Sequence, residues 1–599
     1  MKPTDEQQRV ITTKYRRCQV LACPGAGKTW TQSFRYAYLR EEQSLRSDQI
    51  LVLSHSNAAV ETLRKRLPTD AHVMTLHSFS NRLIKQGGGR FSLLNDSNRI
   101  ALLKQAVKEV KGVLSAFGQQ QIDLKKIAEI KRLAEFVVIF QASKKMAAKL
   151  VDSSHGHFAD YAELLTVIAE VSKQYQIIKE QKKKLDYVDM IKKARSWVRL
   201  HGANELPYEH LLVDEYQDLS APQAALLKEL AANIPNVMVF ADPNQSIYGF
   251  AGQRFRDLSN MFPNAHSFKL TKSFRLTQES ADFAIALLNG ADHNNTPIPP
   301  LRCHRSGSRP EYARFDCQYE QEAFVFGRID ALLARGVQPH EIAVLGRTRA
   351  VLRDVEQALR ASGIEARPVT EQYSPEHIET VIAVLKLMER YIRKGYQSTH
   401  AAKEKMAEHL CKMLGKKQPK DVINTVRRKL EAVVKNPGVF AGHYIVACRI
   451  YLTWLRATTQ DKQLVKHAQI ELSRYEPLCQ DIETADALSA HLARMRAKGE
   501  IATSTIHAAK GREWKHVFVV NVVDGCVPFH TTTSSTALEE ERRLLYVAVT
   551  RASEQTVITM SPYENHTVRK RFIKCSQFLP TMMLKRHATK CTATVDSMS

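Results

Sequence analysis

Short apolar runs alternate with amphipathic stretches in two blocks of the sequence. In the first block, strands are predicted near Val20, Val52, Val213, Val239 and Phe268. In the second block, they are predicted near Val344, Thr505, Val519 and Ile558. Strands that alternate with helices usually pair in parallel, with helices covering both faces of the sheet. The pattern therefore predicts an α/β fold with two doubly wound parallel sheets.

Each block is interrupted by a long segment with apolar residues at i, i+3 and i+4, the spacing of an amphipathic helix. The first segment runs from Asn98 to Lys184 and includes 161–181. The second runs from His377 to about Met495 and includes 380–392 and 421–434. Both segments are predicted to be mainly helical insertions. The stretch 294–310, rich in Asn and Pro, is predicted to cross between the blocks.

The length of 599 residues is too great for one hydrophobic core and predicts about four domains. We expect the first sheet domain to use residues 1–84 and 196–280 and its insertion to use 85–195. The second sheet domain is expected at 281–375 and 496–580, its insertion at 376–495, and a basic, polar tail at 581–599.

Charge points to a nucleic-acid partner. The chain has 87 Lys and Arg against 62 Asp and Glu, a formal net charge of +25 and a pI near 9.5. Such an excess attracts phosphate backbones. The sequence shows neither a membrane-spanning apolar run nor a secretory signal, so we expect a cytoplasmic protein with no membrane partner. Ten scattered cysteines without a C-x-x-C pair argue against a disulfide framework and against zinc.

The first candidate for chemistry is QVLACPGAGKT, from Gln19 to Thr29. An apolar strand here breaks into a loop containing Gly25, Ala26 and Gly27. Such a loop turns backbone N–H groups toward phosphate oxygens, while Lys28 reaches the β- and γ-phosphates and Thr29 can bind Mg²⁺. The strict pattern has its first glycine where Ala22 stands. The alternative is a strand-to-helix turn that happens to contain glycines.

A second candidate is HLLVDEYQD, from His210 to Asp218, where an apolar run delivers two adjacent carboxylates. The carboxyl ends of parallel strands are where open α/β sheets bind ligands. Asp214 is expected to hold Mg²⁺, and Glu215 to orient or deprotonate the attacking water. The alternative is a surface Asp-Glu pair, against which the preceding apolar residues argue.

Further motifs follow in a fixed order, and with the first two they resemble the superfamily 1 DNA helicases of the UvrD/Rep/PcrA type. Most lie in the first half or at its end: PTDEQQRVI, QILVLSHSNAAVETLRKRL, VMTLHSFSNRL, VMVFADPNQSIYGFAG and LTKSFRLT. The remainder are IAVLGRTRA, STIHAAKGREWKHVFVVNV and EEERRLLYVAVTRA. The resemblance implies two RecA-like domains, each with a helical insertion, the second shorter than in typical members.

The resemblance also implies roles at the nucleotide. Gln7 would read adenine, Gln245 would sense the γ-phosphate, and Glu513 would contact the ribose. Arg275 and Arg551 would stabilise charge on the transferring phosphoryl group, a large contribution to the rate of such reactions. Two positions depart from the family pattern at the base, since Phe274 replaces a Tyr and Trp30 replaces an Arg.

Several positions are implied to contact DNA: His55, Asn57, His77, Tyr248, Phe250 and His507. Aromatic rings give single-stranded bases a sequence-tolerant stacking surface. His55 stands where Phe is usual, Phe250 where Trp is usual, and Ala251 where an Arg is usual. Because Ala251 stands in place of this arginine, a coupling residue of the family is missing, and we expect the strength of unwinding to be affected.

The sequence thus predicts an ATP- and Mg²⁺-dependent enzyme acting on single-stranded and tailed duplex DNA. By resemblance it is a helicase that moves 3′ to 5′ and serves repair, replication or recombination. A second hypothesis is a single-strand translocase that removes proteins or powers a partner nuclease while unwinding weakly. A third is a binding subunit with a vestigial ATP site, against which the intact Lys28, Glu215 and Arg551 argue. Protein partners stay open.

Overall fold

The computed structural model describes most of the chain. It covers residues 2–89, 91–151, 158–249, 258–289, 301–369, 376–393, 408–409, 440–459, 462–473, 475–480, 482–532, 534–565 and 570–591. Three predictions fall wholly outside these residues: the DNA contact at Phe250, the departure at Ala251 and the helix at 421–434. The predicted crossing at 294–310 and the predicted tail at 581–599 fall partly outside them. The chain forms two compact units. Unit 1 comprises 1–313, 510–513 and 521–592, and unit 2 comprises 314–509, 514–520 and 593–599.

Strands and helices alternate as the periodicity predicts. The strands are β1 (Arg17–Ala22), β2 (Ile50–Ser54), β3 (His72–Thr75), β4 (Ser92–Leu93), β5 (Lys184–Leu185), β6 (His210–Val213), β7 (Asn236–Ala241), β8 (His266–Leu270), β9 (Lys272–Thr277), β10 (Arg302–Arg305), β11 (Glu311–Arg314), β12 (Ile342–Gly346), β13 (Glu365–Pro368), β14 (Glu500–Thr505), β15 (Trp514–Val519), β16 (Ala552–Met560), β17 (Tyr563–Asn565), β18 (Lys570–Phe572) and β19 (Thr589–Lys590).

The helices within the described residues are α1 (Asp5–Thr12), α2 (Lys28–Glu41), α3 (Asn57–Arg64), α4 (Leu76–Gln86), α5 (Asp96–Glu109), α6 (Val113–Gln119), α7 (Ile127–Ala142), α8 (Lys144–Val151), α9 (Leu165–Gln181), α10 (Tyr187–Glu205), α11 (Ala221–Asn233), α12 (Gln278–Asn289), α13 (Gln318–Ala334), α14 (Arg349–Ala361), α15 (Glu376–Arg393), α16 (Phe440–Thr458), α17 (Lys462–Ser473), α18 (Ala485–Lys498), α19 (Ser535–Val549) and α20 (Thr581–His587). No helix among these residues is both long and apolar enough to cross a membrane.

Unit 1 is built on a six-stranded sheet with the order β3-β2-β6-β7-β1-β8. All five pairings are parallel. The central strands are apolar along nearly their whole length, as in Ile50–Ser54, because helices bury both faces. One apolar cluster packs Phe79 and Leu226 against one face, and another packs Tyr36 and Leu276 against the other. The predicted α/β fold with a doubly wound parallel sheet is confirmed.

Within the segment 96–181 of unit 1, the described residues 96–151 and 158–181 are mainly helical, as predicted, and have their own apolar core around Phe117, Phe136 and Tyr161. The periodicity of 161–181 resolves into a short 3-10 turn followed by α9. Helix α10 then leads back to the sheet through Trp197 and Val198. The insertion therefore has its own apolar core and returns to the sheet through α10.

Unit 2 contains four parallel strands in the order β13-β14-β12-β15. The strands predicted near Val344, Thr505 and Val519 are β12, β14 and β15. The strand predicted near Ile558 is β16, which belongs to unit 1. Helices α15 to α18 of unit 2 form a separate apolar core around Val384, Tyr444 and Leu488. The four-domain boundaries expected from the sequence stay predictions.

Candidate active site and nucleic-acid surface

The phosphate loop lies between β1 and α2. Gly25 and Gly27 have φ values of +74° and +76°, a region that side-chain-bearing residues rarely adopt. A Cβ at Gly25 would lie 2.5 Å from the Cβ of Arg275, so the loop is also closely packed. Gly27 caps α2, whose first turn contains Lys28 and Thr29. The first amide groups of a helix favour anions, so the local structure suits a phosphate.

Lys28 and Glu215 face each other in this loop region, with Nζ 4.0 Å from Oε1. Burial by itself lowers the pKa of Lys28, but the carboxylates of Glu215, Asp242 and Asp214 outweigh it and raise that pKa. Burial raises the pKa of Glu215, but Lys28 and Lys510 lower it to about 2. Lys28 is thus held as a cation and Glu215 as an anion.

Glu215 follows β6 in a left-handed conformation with φ +50°. Such a backbone costs on the order of 1–3 kcal/mol and persists only where its surroundings hold it. The side chain of Gln217 donates a hydrogen bond to Glu215 Oε2. This turn places the Glu215 carboxylate on the wall of the cavity described below.

The residues expected to bind Mg²⁺ are Thr29 and Asp214. Thr29 lines the cavity, whereas Asp214 is 2 % exposed and does not line it. Burial and the adjacent charge of Glu215 raise the pKa of Asp214 to about 7. Hydroxyl and carboxylate oxygens are the donors that Mg²⁺ prefers, and a divalent cation relieves the repulsion between adjacent carboxylates. The donor chemistry therefore fits Mg²⁺.

Gln245 ends a short turn after β7 and is 4 % exposed. Its Nε2 donates to Asp242 Oδ2 at 2.7 Å, and its backbone carbonyl accepts a hydrogen bond from Lys510 Nζ at 2.5 Å. Lys510 also donates to both carboxylate oxygens of Asp218. Gln245 is thus held at the cavity by two ionisable neighbours, its side chain by Asp242 and its backbone by Lys510.

Arg275 is paired with Glu513. Its guanidinium lies 2.6 Å from Glu513 Oε2, and Nη1 donates to the carbonyl of Thr550 at 3.3 Å. Arg551 is 1 % exposed and donates to the carbonyls of Val547 and Arg512. Burial, followed by the charge of Arg275, lowers the pKa of Arg551 to about 9. Both arginines therefore have protein partners in this structure.

Gln7, Trp30 and Phe274 also line the cavity. Gln7 Oε1 accepts a hydrogen bond from the backbone of Thr4, and its Nε2 donates to the carbonyl of Ala26 at 3.2 Å. The ring of Trp30 stacks on that of Phe34 with centroids 3.9 Å apart. Phe274 is fixed to the phosphate loop by its N–H, which donates to the carbonyl of Gly25.

These groups line one cavity of about 610 Å³ within unit 1, a size suited to a nucleotide. The sequence-predicted residues on its wall are Gln7, Gly25, Ala26, Gly27, Lys28, Thr29, Trp30, Glu215, Gln245, Phe274, Arg275, Glu513 and Arg551. Two further cations line it that sequence reasoning missed, Arg66 and Arg305. Arg66 follows α3 within the motif QILVLSHSNAAVETLRKRL, whose residues His55 and Asn57 are expected to contact DNA.

The DNA residues predicted in unit 1 form aromatic pairs near this site. His55 and Tyr248 stack with centroids 6.3 Å apart, and Lys510 Nζ lies 5.2 Å from the centre of the Tyr248 ring. His77 meets Tyr187 edge to face at 5.0 Å. Burial, with Lys510, lowers the pKa of His55, and burial, with His55, lowers the pKa of His77. Both imidazoles are therefore favoured in the neutral form, which suits stacking.

Asn57 and His507 are the other predicted DNA residues that the structure describes. Asn57 is the first residue of α3 and is exposed. His507 is half-buried in the turn after β14 and belongs to unit 2. Tyr187 and Lys510 were missed from the sequence. Lys510 belongs to the motif STIHAAKGREWKHVFVVNV, and Tyr187 follows the basic run 182–184. Neither signal indicates that Lys510 contacts Tyr248 or that Tyr187 contacts His77.

Comparison with known proteins agrees with this geometry. Residues 3–266 match the UvrD/REP helicase N-terminal domain, and residues 452–563 match the UvrD-like helicase C-terminal domain. Together these matches cover more than half of the chain. The chain belongs to the UvrD-like helicase family. This membership confirms the family resemblance that the motifs indicated. It also confirms the expected enzyme class, a helicase.

Curated relatives match along nearly the whole chain. The ATP-dependent DNA helicase PcrA of Leuconostoc citreum is 24 % identical over 93 % of this chain and 81 % of its own. PcrA of Bacillus subtilis is 24 % identical over 92 % and 82 %. A probable DNA helicase II homologue of Mycoplasma capricolum is 22 % identical over 96 % and 86 %. Helicase-family members thus share both halves of the chain.

Proposed function

We propose that this protein is an ATP-dependent DNA helicase that moves 3′ to 5′ along single-stranded DNA and separates duplex ahead of it. The observation that carries the proposal is the cavity of unit 1, where Lys28, Glu215, Gln245, Arg275 and Arg551 converge. A phosphate loop, a carboxylate beside the loop lysine and two arginines are the parts that phosphoryl transfer from a nucleotide requires. The direction of movement rests on the family resemblance alone.

In hydrolysis, the loop amides and Lys28 hold the phosphates. Glu215, held as an anion by Lys28 and Lys510, orients the attacking water and accepts its proton. Thr29 and Asp214 would hold Mg²⁺, which offsets the negative charge of the phosphates when bound. Arg275 and Arg551 stabilise the charge that develops on the transferring group, after exchanging their present partners, Glu513 and backbone carbonyls, for phosphate oxygens.

The link to DNA runs through Lys510. Its ammonium contacts Asp218, in the segment that follows Glu215, and the carbonyl of Gln245 at the cavity, while it also lies over the Tyr248 ring. A base stacked at Tyr248 and a phosphate sensed at Gln245 therefore act on the same cation. Coupling of this kind requires a group whose contacts differ between the two states of each site.

The test is strand displacement on matched duplexes with a 3′ or a 5′ single-stranded tail, with ATP turnover measured in the same samples. Wild type is expected to unwind only from the 3′ tail. Lys28→Ala and Glu215→Gln are expected to lose turnover and unwinding, the second while still binding ATP. Lys386→Ala is the control, because Lys386 pairs with Asp486 at the surface of unit 2.

DNA contact is tested separately by Tyr248→Ala. We expect it to weaken binding of single-stranded DNA and DNA-stimulated turnover, whereas Tyr319→Ala, an aromatic that is 78 % exposed in unit 2, leaves both unchanged. DNA-stimulated turnover without displacement from either tail would replace the helicase assignment with the translocase that unwinds weakly. Absence of turnover in wild type would reject both.

A further inference from the structure

A lysine is completely buried where the helical segment of unit 1 returns to the sheet. Lys179 in α9 is 0 % exposed. Its Nζ lies 2.5 Å from Asp186 Oδ2, 2.6 Å from Asp189 Oδ2 and 3.3 Å from the side-chain oxygen of Gln141. The ring of Tyr175 lies beneath it, 4.5 Å from Nζ to the centroid. All three ammonium protons therefore have acceptors.

Stability alone is a weak reason for such a cluster. Removing an ammonium and two carboxylates from water costs several kcal/mol per ion, and apolar replacements of a whole buried cluster are often neutral or stabilising. A buried ion cluster instead fixes a geometry, because each buried charge is stabilised only by partners in defined positions. The relevant question is which group Lys179 fixes.

Lys179 fixes the first turn of α10. Asp186 is the N-cap of this helix, and its Oδ1 accepts a hydrogen bond from the N–H of Asp189 at 3.0 Å. In return, Asp189 Oδ2 accepts from the N–H of Asp186 at 3.2 Å. These two carboxylates form a reciprocal cap, and they are the same two that Lys179 contacts. The ammonium thus locks both halves of the cap together.

Between the two aspartates stands Tyr187. Its side chain is 53 % exposed, and it meets His77 of α4 edge to face at 5.0 Å. His77 is close enough to His55 to share its electrostatic field, and His55 stacks near Tyr248. Tyr187 therefore extends the aromatic surface of unit 1 beyond the rings predicted from the sequence. Exposed rings of this kind stack on single-stranded bases.

We propose that Lys179 is a positioning residue for DNA binding. By holding Asp186 and Asp189, its ammonium sets the first turn of α10, so that the Tyr187 ring stands against His77 and is open to a base. Because Lys179 belongs to α9, the cluster also ties the helical segment 96–181 to the DNA surface. This inference rests on the proposed function, since it requires single-stranded DNA to bind unit 1.

The test separates base stacking from phosphate contact. Binding constants are measured for an oligonucleotide with normal bases and for one of equal length and charge with abasic sites, and the ratio of the two is the stacking contribution. Tyr187→Ala is expected to lower this ratio at least about fivefold, the low end of what one stacked base contributes. Lys179→Met is expected to lower it equally. Adding Tyr187→Ala to Lys179→Met is expected to lower it no further.

Two more variants keep the test decisive. Lys179→Met leaves the carboxylates of Asp186 and Asp189 without a cation between them. If this single variant does not fold, the double variant Lys179→Met/Asp189→Asn, which also removes one of the two negative charges, takes its place. Lys192→Met is the matched control. Lys192 is exposed and belongs to α10, and its Nζ donates a hydrogen bond to the backbone carbonyl of Gln141 at 2.7 Å. We expect the control to keep the wild-type ratio. ATP affinity and the salt dependence of binding are expected to stay unchanged in every variant.

A folded Lys179→Met/Asp189→Asn protein with the wild-type ratio would overturn the positioning role. An unchanged ratio in Tyr187→Ala would overturn it as well, while leaving DNA binding, and with it the proposed function, intact. If wild type bound no single-stranded DNA at all, the proposed function would fail first and this inference would fail with it.

Discussion

Lys510 donates to both carboxylate oxygens of Asp218, at 2.7 and 2.6 Å, although 292 positions separate the two residues in the chain. Their side chains are only 7 % and 3 % exposed. Burial raises the pKa of Asp218 to about 6, and Lys510 opposes that rise, so the carboxylate is mostly ionised at neutral pH. Lys510 also donates to the backbone carbonyl of Gln245, so it bridges the segment after Glu215 and the turn that carries Gln245.

Lys510→Met is expected to destabilise unit 1 by about 3–5 kcal/mol, because it leaves the Asp218 charge buried without a partner. Lys510→Met combined with Asp218→Asn removes that charge, so we expect most of the loss to be recovered. Thermal melting of the three proteins measures this. If the double variant melts as low as the single one, the pair is not what stabilises this region.

Gly25→Ala is expected to weaken ATP binding at least about tenfold. Alanine is strained at a φ of +74°, and its Cβ would fall 2.5 Å from that of Arg275 and 2.8 Å from Ser273 Oγ. Gly118→Ala in α6 is the control, since nothing lies within 4 Å of the added carbon there and alanine favours a helix. Titration with a fluorescent ATP analogue distinguishes the two. Equal affinities in both variants would contradict the close packing of the loop.

Trp30 is expected to make nucleotide selection tolerant of the purine. Gln7 was expected to read adenine, but the oxygen of its amide and one of its N–H groups are engaged within the protein, so we expect the rings of Trp30 and Phe274 to hold the base instead. Stacking distinguishes bases poorly, whereas a site built on hydrogen bonds discriminates against a substrate that lacks them by a factor of about 10⁴–10⁵ in kcat/KM. We expect kcat/KM for GTP within about tenfold of that for ATP, by the same reasoning.

Trp30→Ala should then raise KM for both nucleotides by a similar factor, of the order of ten, as loss of one stacked ring predicts. Steady-state turnover with each nucleotide measures both effects. A preference for ATP above a thousandfold in wild type would mean that hydrogen bonds, and not the rings, select the base.

His210→Gln is expected to flatten the dependence of stability on pH. Burial, followed by the charge of Arg35, lowers the pKa of His210 from about 6.5 to about 4. The folded state therefore binds fewer protons than the unfolded state in this range. The contribution of neutral His210 is fully present above pH 6.5 and is lost as the pH falls toward 4.

Melting temperatures at steps between pH 7 and 4.5 provide the measurement. Wild type should lose more stability than His210→Gln across this window, while His340→Gln, at an exposed position, should follow wild type. Parallel curves for wild type and His210→Gln would show that His210 is not the group responsible.

Periodicity and motif order predicted five strands of the six-stranded sheet, β1, β2, β6, β7 and β8, together with the helical segments and the loop at Lys28, because those features depend on neighbouring residues. The pairs that organise the site were not predictable. Nothing near Arg275 in the chain indicates that Glu513 binds its guanidinium, and nothing near Lys179 indicates that its charge is buried. The roles of the site residues stay predictions until the variants above are measured.

The sequence by itself determined where the phosphate-binding loop, the carboxylates and the aromatic rings stand along the chain. Backbone conformation at Gly25 and Gly27, the apolar runs of the strands and the capping of the helices are local properties. Only the tertiary structure decided which of these groups meet. The pairing of Lys510 with Asp218, of Lys179 with two aspartates and of Tyr187 with His77 depends on how distant helices and strands pack, since burial removes water and leaves each charged or polar group to the partners that the fold brings within reach.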